Sequence, residues 1–180
     1  GYDYEVINSE ILLELEVRNG NVVIPRTGAS FKLLVLTDEF EINPMVLMKL
    51  KAMVQKGAII IGPKPKKIAD RKIQPDMPDM GGWLDNLWMT FDSKNFNAGA
   101  PFIYTNVEVQ EMLTTMGIRP DLEYQDMDFY PLDYTHYQKE GLDFYFVVNT
   151  SERWLSRNIG FRQQEKSPEI WDPVTGKVSK

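Results

Sequence analysis

The chain has 180 residues, a formal net charge of −6 and no cysteine. The lack of cysteine excludes disulfides, cysteine nucleophiles and thiolate metal sites. The interspersed, slightly acidic charge disfavours nucleic acid as a partner, because phosphate binding needs a concentrated basic patch. No apolar run approaches the roughly 18 residues of a membrane span, so no membrane partner is expected. The sequence starts at Gly1 without a signal peptide, and we expect an excised fragment of a longer protein.

The first 30 residues predict a short helix followed by a hairpin. Asn8 or Ser9 is a suitable N-cap for the helix, because a short polar side chain there accepts a hydrogen bond from a free backbone N–H. The dipeptide Asn19-Gly20 then lies between two apolar stretches in residues 16–25. Asn-Gly in that setting is a strong hairpin signal.

Residues 31–63 predict one βαβ unit of a parallel sheet. An unbroken apolar run within 31–37 is typical of a strand covered on both faces, and 58–62 repeats the pattern with three isoleucines. Between these strands, apolar residues recur at helical spacing over 44–56, with Asn43 as the N-cap. We expect nearly complete burial of four residues: Leu34, Val35, Leu50 and Ile60.

A long connection over residues 63–82 separates this unit from the next elements. Such loops are uncommon inside compact domains, and its basic cluster is expected to be a solvated loop. The large apolar residues from Trp83 to Phe91 recur at helical spacing and predict a helix on the sheet. Residues 100–105 predict a third strand. Glu108 stands three residues after Thr105, the spacing of a capping box for a helix over 106–116.

The tail changes character and predicts antiparallel structure. Strands are expected at 142–149, 153–163 and 169–178, and strands that follow strands favour antiparallel pairing. We therefore divide the chain into an α/β domain, 1–135, and an antiparallel β appendage or start of a β-sandwich, 136–180. Both faces of the first tail strand carry apolar residues, which predicts an exposed apolar surface that includes four residues: Phe144, Phe146, Trp154 and Trp171.

Ligands of parallel α/β sheets bind beyond the carboxyl ends of the strands. Asp38, Glu39, Pro63 and Asn106 follow predicted strands, and we select them as candidate ligand-binding residues of this crevice. Asp38 and Glu39 would suit paired carboxylates, although acidic residues in such loops are commonly just solvated. No phosphate-binding glycine motif follows any strand, so these motifs do not support a nucleotide.

Other catalytic or metal-binding patterns are weak. His136 is the only histidine, and no nucleophile elbow accompanies it, so a structural role is expected. The carboxylates of Asp126, Asp128 and Asp133 would suit a hard cation, but their spacing matches no calcium loop. We therefore predict no catalytic residue, no metal site and no cofactor.

Three stretches are similar to a known family. They are KLLVLTDEFEINPMVLMKLKAMVQKGAIIIGPKP (32–65), DFYFVVNTSE (143–152) and PEIWDPVTGKV (168–178). They resemble segments of large bacterial glycoside hydrolases of the α-L-rhamnosidase type, glycoside hydrolase family 106. The phrase WDPVTG, residues 171–176, is the most specific of these matches, and residues 64–99 match poorly.

The resemblance implies an α/β fold, a three-layer parallel-sheet domain of flavodoxin-like or class I glutamine amidotransferase-like type, with C-terminal antiparallel β strands. Amidotransferase activity would need a cysteine that this chain lacks. The family's catalytic carboxylates lie on an upstream barrel, so no position here inherits them. The resemblance also implies a periplasmic or extracellular parent enzyme that acts on rhamnose-containing plant polysaccharide.

Three functions follow as hypotheses. The first is a non-catalytic accessory domain of a larger secreted glycoside hydrolase, with the remaining domains of that enzyme as partners. The alternative is a free-standing α/β protein that binds a carbohydrate or a small anion in the sheet crevice. A third, an autonomous hydrolase that uses Asp38 and Glu39, has the least support from the residues.

Overall fold

The computed structural model describes residues 1–69, 80–124 and 131–180. Residues 70–79, half of the predicted long connection, lie outside this description. Among the described residues, no helix is long and apolar enough to cross a lipid bilayer. The backbone has no cis peptide bond in the described segments.

The described residues form two compact units. The α/β unit is Val6–Ile118, and the β unit combines Gly1–Glu5 with Arg119–Lys180. The domain boundary that we predicted between 135 and 136 lies inside a strand of the β unit, Leu132–Lys139.

The α/β unit contains all four helices of the described residues and nine short strands. Its helices are α1 (Ser9–Glu14), α2 (Pro44–Gln55), α3 (Trp83–Leu87) and α4 (Val109–Thr115). Its strands are β1 (Glu16–Arg18), β2 (Asn21–Val23), β3 (Ser30–Phe31), β4 (Leu34–Val35), β5 (Glu41–Ile42), β6 (Ile60–Ile61), β7 (Lys67–Ile68), β8 (Trp88–Thr90) and β9 (Ile103–Thr105). Strands β1, β2 and β3 form an antiparallel sheet, and β5 pairs with β7 in parallel.

A four-stranded parallel sheet in the order β4-β6-β9-β8 is the centre of this unit. Alternate residues of its central strands point to opposite faces. Ile60 and Ile103 belong to the core that contains Leu50 of α2, whereas Ile61 belongs to a second core with Met112 of α4. Helices therefore cover both faces of the sheet, which explains why its central strands are apolar throughout.

The predicted βαβ unit is confirmed. Helix α2 follows Asn43, whose side chain accepts a hydrogen bond from the backbone N–H of Met45 at 2.9 Å. Strands β4 and β6 pair in parallel on either side of α2 in the sequence. Leu50 and Ile60 are fully buried, as predicted.

The burial predicted for the first strand is wrong for Val35, which is 50% exposed, and too high for Leu34, which is half-buried. Strand β4 is the edge of the sheet and has a neighbour on one side only. The side chain of Val35 points to the same face as that of Ile61, and it lies outside the core that Met112 of α4 completes. The apolar run therefore indicated a strand correctly, but not the position of that strand in the sheet.

Two predictions on local structure in the N-terminal part are confirmed. The Asn8 side chain accepts a hydrogen bond from the N–H of Ile11 at 3.0 Å and caps α1. Strands β1 and β2 pair with Arg18 opposite Asn21, which leaves a two-residue turn. Both turn residues, Asn19 and Gly20, have positive φ values of 51° and 77°, as the type I′ hairpin requires.

Two predictions near the third strand are wrong. The helix predicted from Trp83 to Phe91 ends at Leu87, and Trp88–Thr90 is the sheet strand β8, because its pairing with β9 outweighs the helical spacing of its apolar residues. The predicted capping box is absent as well. Helix α4 begins one turn later, at Val109, with Glu108 as an N-cap that makes no side-chain hydrogen bond.

The β unit consists of three antiparallel pairs. Its strands are β10 (Leu122–Tyr124), β11 (Leu132–Lys139), β12 (Leu142–Asn149), β13 (Ile159–Phe161), β14 (Ile170–Trp171) and β15 (Val178–Ser179). Strand β10 pairs with β13, β11 with β12, and β14 with β15. The predicted antiparallel pairing of the tail is confirmed, and β12 has the predicted bounds. The strand predicted at 153–163 covers only Ile159–Phe161, and the prediction missed β10 and β11.

Candidate functional site

The candidate crevice lies at the carboxyl ends of the parallel strands in the α/β unit. It is a cleft of about 290 Å³ lined by seven residues: Gly62, Pro63, Thr105, Asn106, Val107, Glu108 and Glu111. The lining comes from the segment after β6 and from the end of β9, the following turn and the first turn of α4. This is the edge of a parallel sheet where ligands of α/β proteins generally bind.

Gly62 shapes the floor of this cleft. Its φ is 149°, and a Cβ there would lie 2.7 Å from the Cβ and 2.8 Å from the carbonyl oxygen of Leu36. The N–H of Gly62 donates to the carbonyl of Tyr104 at 2.9 Å, and the N–H of Leu36 donates to Ile61 at 2.8 Å. The chain after β6 therefore remains bound to both neighbouring segments, and only glycine fits between them.

The structure brings two of the four candidate residues together. Pro63 and Asn106 both line the cleft, and Asn106 adopts a left-handed conformation with φ 58°. Asp38 and Glu39 are exposed and are not among the lining residues. The hydroxyl of Thr37 donates to Glu39 at 3.3 Å, which is an ordinary contact within a solvated loop.

The carboxylates of the cleft are Glu108 and Glu111, which the sequence analysis did not select. Glu108 was interpreted as part of a capping box, and its position at the mouth of the cleft depends on where α4 begins. Both side chains are exposed. They stand three residues apart at the start of one helix, so they lie on the same side of the cleft. Two carboxylates there favour a neutral or cationic ligand over an anion.

A second group of polar side chains lies inside the β unit, beneath the β11–β12 hairpin. The ring of His136 lies between two carboxylates, with Nδ1 at 3.3 Å from Asp121 and Nε2 at 2.9 Å from Asp143. Arg162 forms an ion pair with Asp121, and Lys166 forms one with Asp143. We call these five residues the His136 cluster. Its histidine and both carboxylates are buried, with side-chain exposures of 12%, 8% and 3% in the order given.

Aromatic rings complete the surroundings of the His136 cluster. The ring of Tyr145 stacks on that of His136, with 4.2 Å between centroids and 7° between planes. Burial raises the pKa values of Tyr134 and Tyr145, and the charge of Asp121 raises both further. Burial would raise the pKa of Asp143 as well, but hydrogen bonds from Lys166 and His136 hold it below its usual value. The folded β unit therefore favours a charged Asp143 and neutral tyrosines.

The His136 cluster is suited to holding strands together rather than to acid–base chemistry on a substrate. Both ring nitrogens of His136 face carboxylates, so neither is free to take a proton from a bound molecule. The members come from β11, from β12 and from segments next to β10 and β13. The structural role predicted for His136 agrees with this geometry. A charged residue inside the apolar strand β12, Asp143, was the one signal of the cluster in the sequence.

The WDPVTG motif, residues 171–176, contains the turn between β14 and β15. One carboxylate oxygen of Asp172 accepts hydrogen bonds from the N–H groups of Val174 and Thr175 at 2.8 and 3.2 Å, and the other accepts from the Thr175 hydroxyl at 2.6 Å. The hydroxyl and backbone donors lower the pKa of Asp172. The N–H of Gly176 closes the turn by donating to the Asp172 carbonyl at 2.8 Å. These residue types thus serve the turn itself.

Within the described residues, no group of three or more His, Cys, Asp or Glu side chains is arranged to hold a metal ion. Asp133 is exposed on β11. The other two carboxylates considered as cation ligands, Asp126 and Asp128, lie outside the described residues.

The protein therefore combines a mixed α/β unit, which has an acidic cleft, with an antiparallel β unit, which contains the His136 cluster. A family profile described as alpha-L-rhamnosidase, glycoside hydrolase family 106, matches residues 1–180. The chain belongs to this family.

Two similar proteins carry different names. A curated protein of Formosa agariphila described as "Putative beta-glucuronidase" is 26% identical over 181 residues, which is 100% of this chain and 14% of that protein. The solved structure of a rhamnosidase from Novosphingobium sp. PP1Y has a TM-score of 0.80 and 26% identity, and the match covers 96% of this chain and 16% of that one. This chain therefore spans about one-seventh of the curated relative's length.

Proposed function

We propose that this chain is a non-catalytic accessory domain of a larger, exported glycoside hydrolase that degrades rhamnose-containing plant polysaccharide. One observation carries the proposal. The family profile spans all 180 residues, yet the same residues match only 14% and 16% of the two similar proteins. A periplasmic or extracellular location belongs to the same proposal, since a long polysaccharide is degraded outside the cytoplasm.

The arrangement of carboxylates supports the non-catalytic part of the proposal. Glycosidases generally place two carboxyl groups on opposite sides of the scissile bond, about 5–9.5 Å apart. In the cleft, Glu108 and Glu111 approach from one side of one helix. The two carboxylates that flank His136, Asp121 and Asp143, are buried in ion pairs with cationic side chains. Neither pair could protonate a leaving group and stabilise the opposite face of the sugar.

A finer fold assignment belongs to the same proposal. The parallel sheet, with α2 on one face and α4 on the other, supports the flavodoxin-like or class I amidotransferase-like type predicted for the α/β unit. The subtype stays a prediction.

The competing function is that of a free-standing protein that binds a small ligand in the cleft. A small anion is disfavoured, because Glu108 and Glu111 would repel it. A neutral carbohydrate fits better, since Asn106, Thr105 and the carboxylates offer donors and acceptors for hydroxyl groups.

The test compares the product of the complete open reading frame with the 180-residue chain. We expect the reading frame to extend far beyond these residues, its product to hydrolyse aryl α-L-rhamnosides, and the 180-residue chain to show no turnover. Turnover by the short chain that disappears in Glu108→Gln, Glu111→Gln, Asp38→Asn or Glu39→Gln would overturn the non-catalytic assignment. A reading frame of only these residues, together with saturable sugar binding, would favour the competing function.

A further inference from the structure

The outer face of strand β12 in the β11–β12 hairpin is apolar. Along β12, Leu142, Phe144, Phe146 and Val148 alternate with less exposed residues, and these four are between 40% and 60% exposed. The opposite face of the same strand carries Asp143, which is buried in the His136 cluster. A hairpin at a protein surface normally has polar side chains on its outer face, whereas β12 carries apolar residues on both faces.

The outward apolar residues form a continuous stripe. Tyr137 of β11 is directly opposite Phe144 and is itself exposed, and side chains opposite each other on neighbouring strands are in contact range. Thr135 lies opposite Phe146 on the same face, and the charged Asp133 and Lys139 lie at its two ends, opposite Val148 and Leu142. We call these six residues, Thr135, Tyr137, Leu142, Phe144, Phe146 and Val148, the hairpin face. Contiguous exposed apolar surface of this kind marks an interaction site.

Apolar exposure is concentrated in this part of the chain. Of the nineteen large hydrophobic residues that are exposed in the described ranges, eleven fall between Tyr137 and Val178. Trp154 is fully exposed, and Trp171 is 69% exposed. An even scatter over the surface would be unremarkable, but concentration in one quarter of the chain indicates a surface that is covered in the working protein.

The hairpin also lacks further strand neighbours. In the described residues, β11 and β12 form a two-stranded sheet with no third strand, and each strand is eight residues long. A two-stranded sheet is only marginally stable by itself, and long apolar edges promote pairing with other chains. Coverage of the hairpin face would supply packing that a two-stranded sheet lacks.

We propose that the hairpin face is the surface on which another domain of the same polypeptide docks. The proposal rests on the proposed function, in which this chain is one domain of a larger enzyme. The rhamnosidase that shares this fold at a TM-score of 0.80 contains the matching region as 16% of its chain, so most of that polypeptide is available to provide such a domain. The hairpin face combines aromatic rings with the aliphatic side chains of Leu142 and Val148, a composition that suits the dry core of a protein interface.

Thiol labelling can test the proposal, because the 180 residues contain no cysteine. Phe146→Cys and Thr135→Cys are made separately in the product of the complete open reading frame, with Gln110→Cys, at an exposed position of α4, as the control. Each protein is labelled when native and when unfolded in urea, and a reaction with the unsubstituted protein subtracts thiols from elsewhere. Thr135→Cys replaces a polar residue, so it serves if Phe146→Cys fails to fold.

We expect the thiols at 135 and 146 to react at least about tenfold more slowly in the native than in the unfolded protein, because docking must open before they are reached. The control thiol should lose much less of its reactivity. Equal rates for native and unfolded protein at 135 and 146 would overturn the docking surface while leaving the accessory-domain function intact. A reading frame that ends with these 180 residues would instead remove the proposed function itself.

Two other labelling results would also contradict the proposal. If slow labelling at 135 and 146 becomes fast when the protein is diluted, a second copy of the chain covers the hairpin face. If labelling becomes slow only after a rhamnose-containing polysaccharide is added, the hairpin face binds sugar.

Discussion

Nε2 of His136 lies 2.9 Å from a carboxylate oxygen of Asp143, and the two residues belong to neighbouring strands of one hairpin. Asp143 is nearly inaccessible, with a side-chain exposure of 3%, and it also forms an ion pair with Lys166. This contact places a charged group on the inner face of a strand whose outer face is apolar. Successive side chains of a strand point to opposite faces, so the orientation that buries Asp143 also turns its apolar neighbours Phe144 and Leu142 outward.

Removal of the Asp143 charge should destabilise the β unit. In Asp143→Asn the buried hydrogen bonds lose their charged acceptor, and we expect the free energy of unfolding to fall by about 1–3 kcal/mol. Asp133→Asn is the matched control, because Asp133 is exposed on the other face of the hairpin, and it should cost no more than about 0.5 kcal/mol. Urea denaturation measures both. Equal losses in the two variants would contradict a special role for Asp143.

The contribution of Asp143 should depend on pH in a defined direction. Its pKa in the folded protein is lowered, so the unfolded chain binds the proton more readily and stability is lost as the pH falls. The contribution is complete above the ordinary carboxylate pKa of about 3.9 and disappears as the pH drops through the lowered value. The difference in unfolding free energy between wild type and Asp143→Asn should therefore shrink as the pH falls below about 3.9. A difference that grows as the pH falls through this acid range would contradict the lowered pKa of Asp143.

Two strand residues of the parallel sheet should differ sharply in their sensitivity. Ile60 is fully buried, and Ile60→Ala should cost about 2–5 kcal/mol through lost burial and the cavity that remains. Val35 lies on the adjacent edge strand and is half exposed, so Val35→Ala should cost at most about 1 kcal/mol. Thermal or urea unfolding of both variants checks the ranking, and a larger loss for Val35→Ala would mean that this edge is covered.

The close approach at the cleft floor predicts strong intolerance of a side chain. In Gly62→Ala the new Cβ would overlap Leu36, and backbone conformations of this kind cost other residues about 1–3 kcal/mol. Gly99→Ala is the control, since its Cβ would meet only the Asn97 side chain at an ordinary 3.6 Å. Urea denaturation compares the free energies of unfolding of the two variants. If Gly62→Ala is as stable as Gly99→Ala, Leu36 can move away from the new Cβ at little cost.

The sequence by itself determined several local features and the mixed α/β fold class of this protein. The N-caps at Asn8 and Asn43, the Asn19-Gly20 turn and the apolar runs around α2 act within a few residues, so their outcome depends little on the rest of the chain. The positions of Pro63 and Asn106 in the lining of the cleft could also be predicted, because the carboxyl ends of parallel strands meet at one edge of the sheet.

Only the tertiary structure decided which strand lay at an edge and which side chains met. The exposure of Val35 follows from strand order, and the strand at Trp88 follows from pairing with β9. In the His136 cluster, Asp121 meets Arg162 where β10 and β13 pair. The cleft gains Glu108 because α4 begins at Val109. These outcomes depend on contacts between residues far apart in the chain, where packing and pairing energies outweigh local preference.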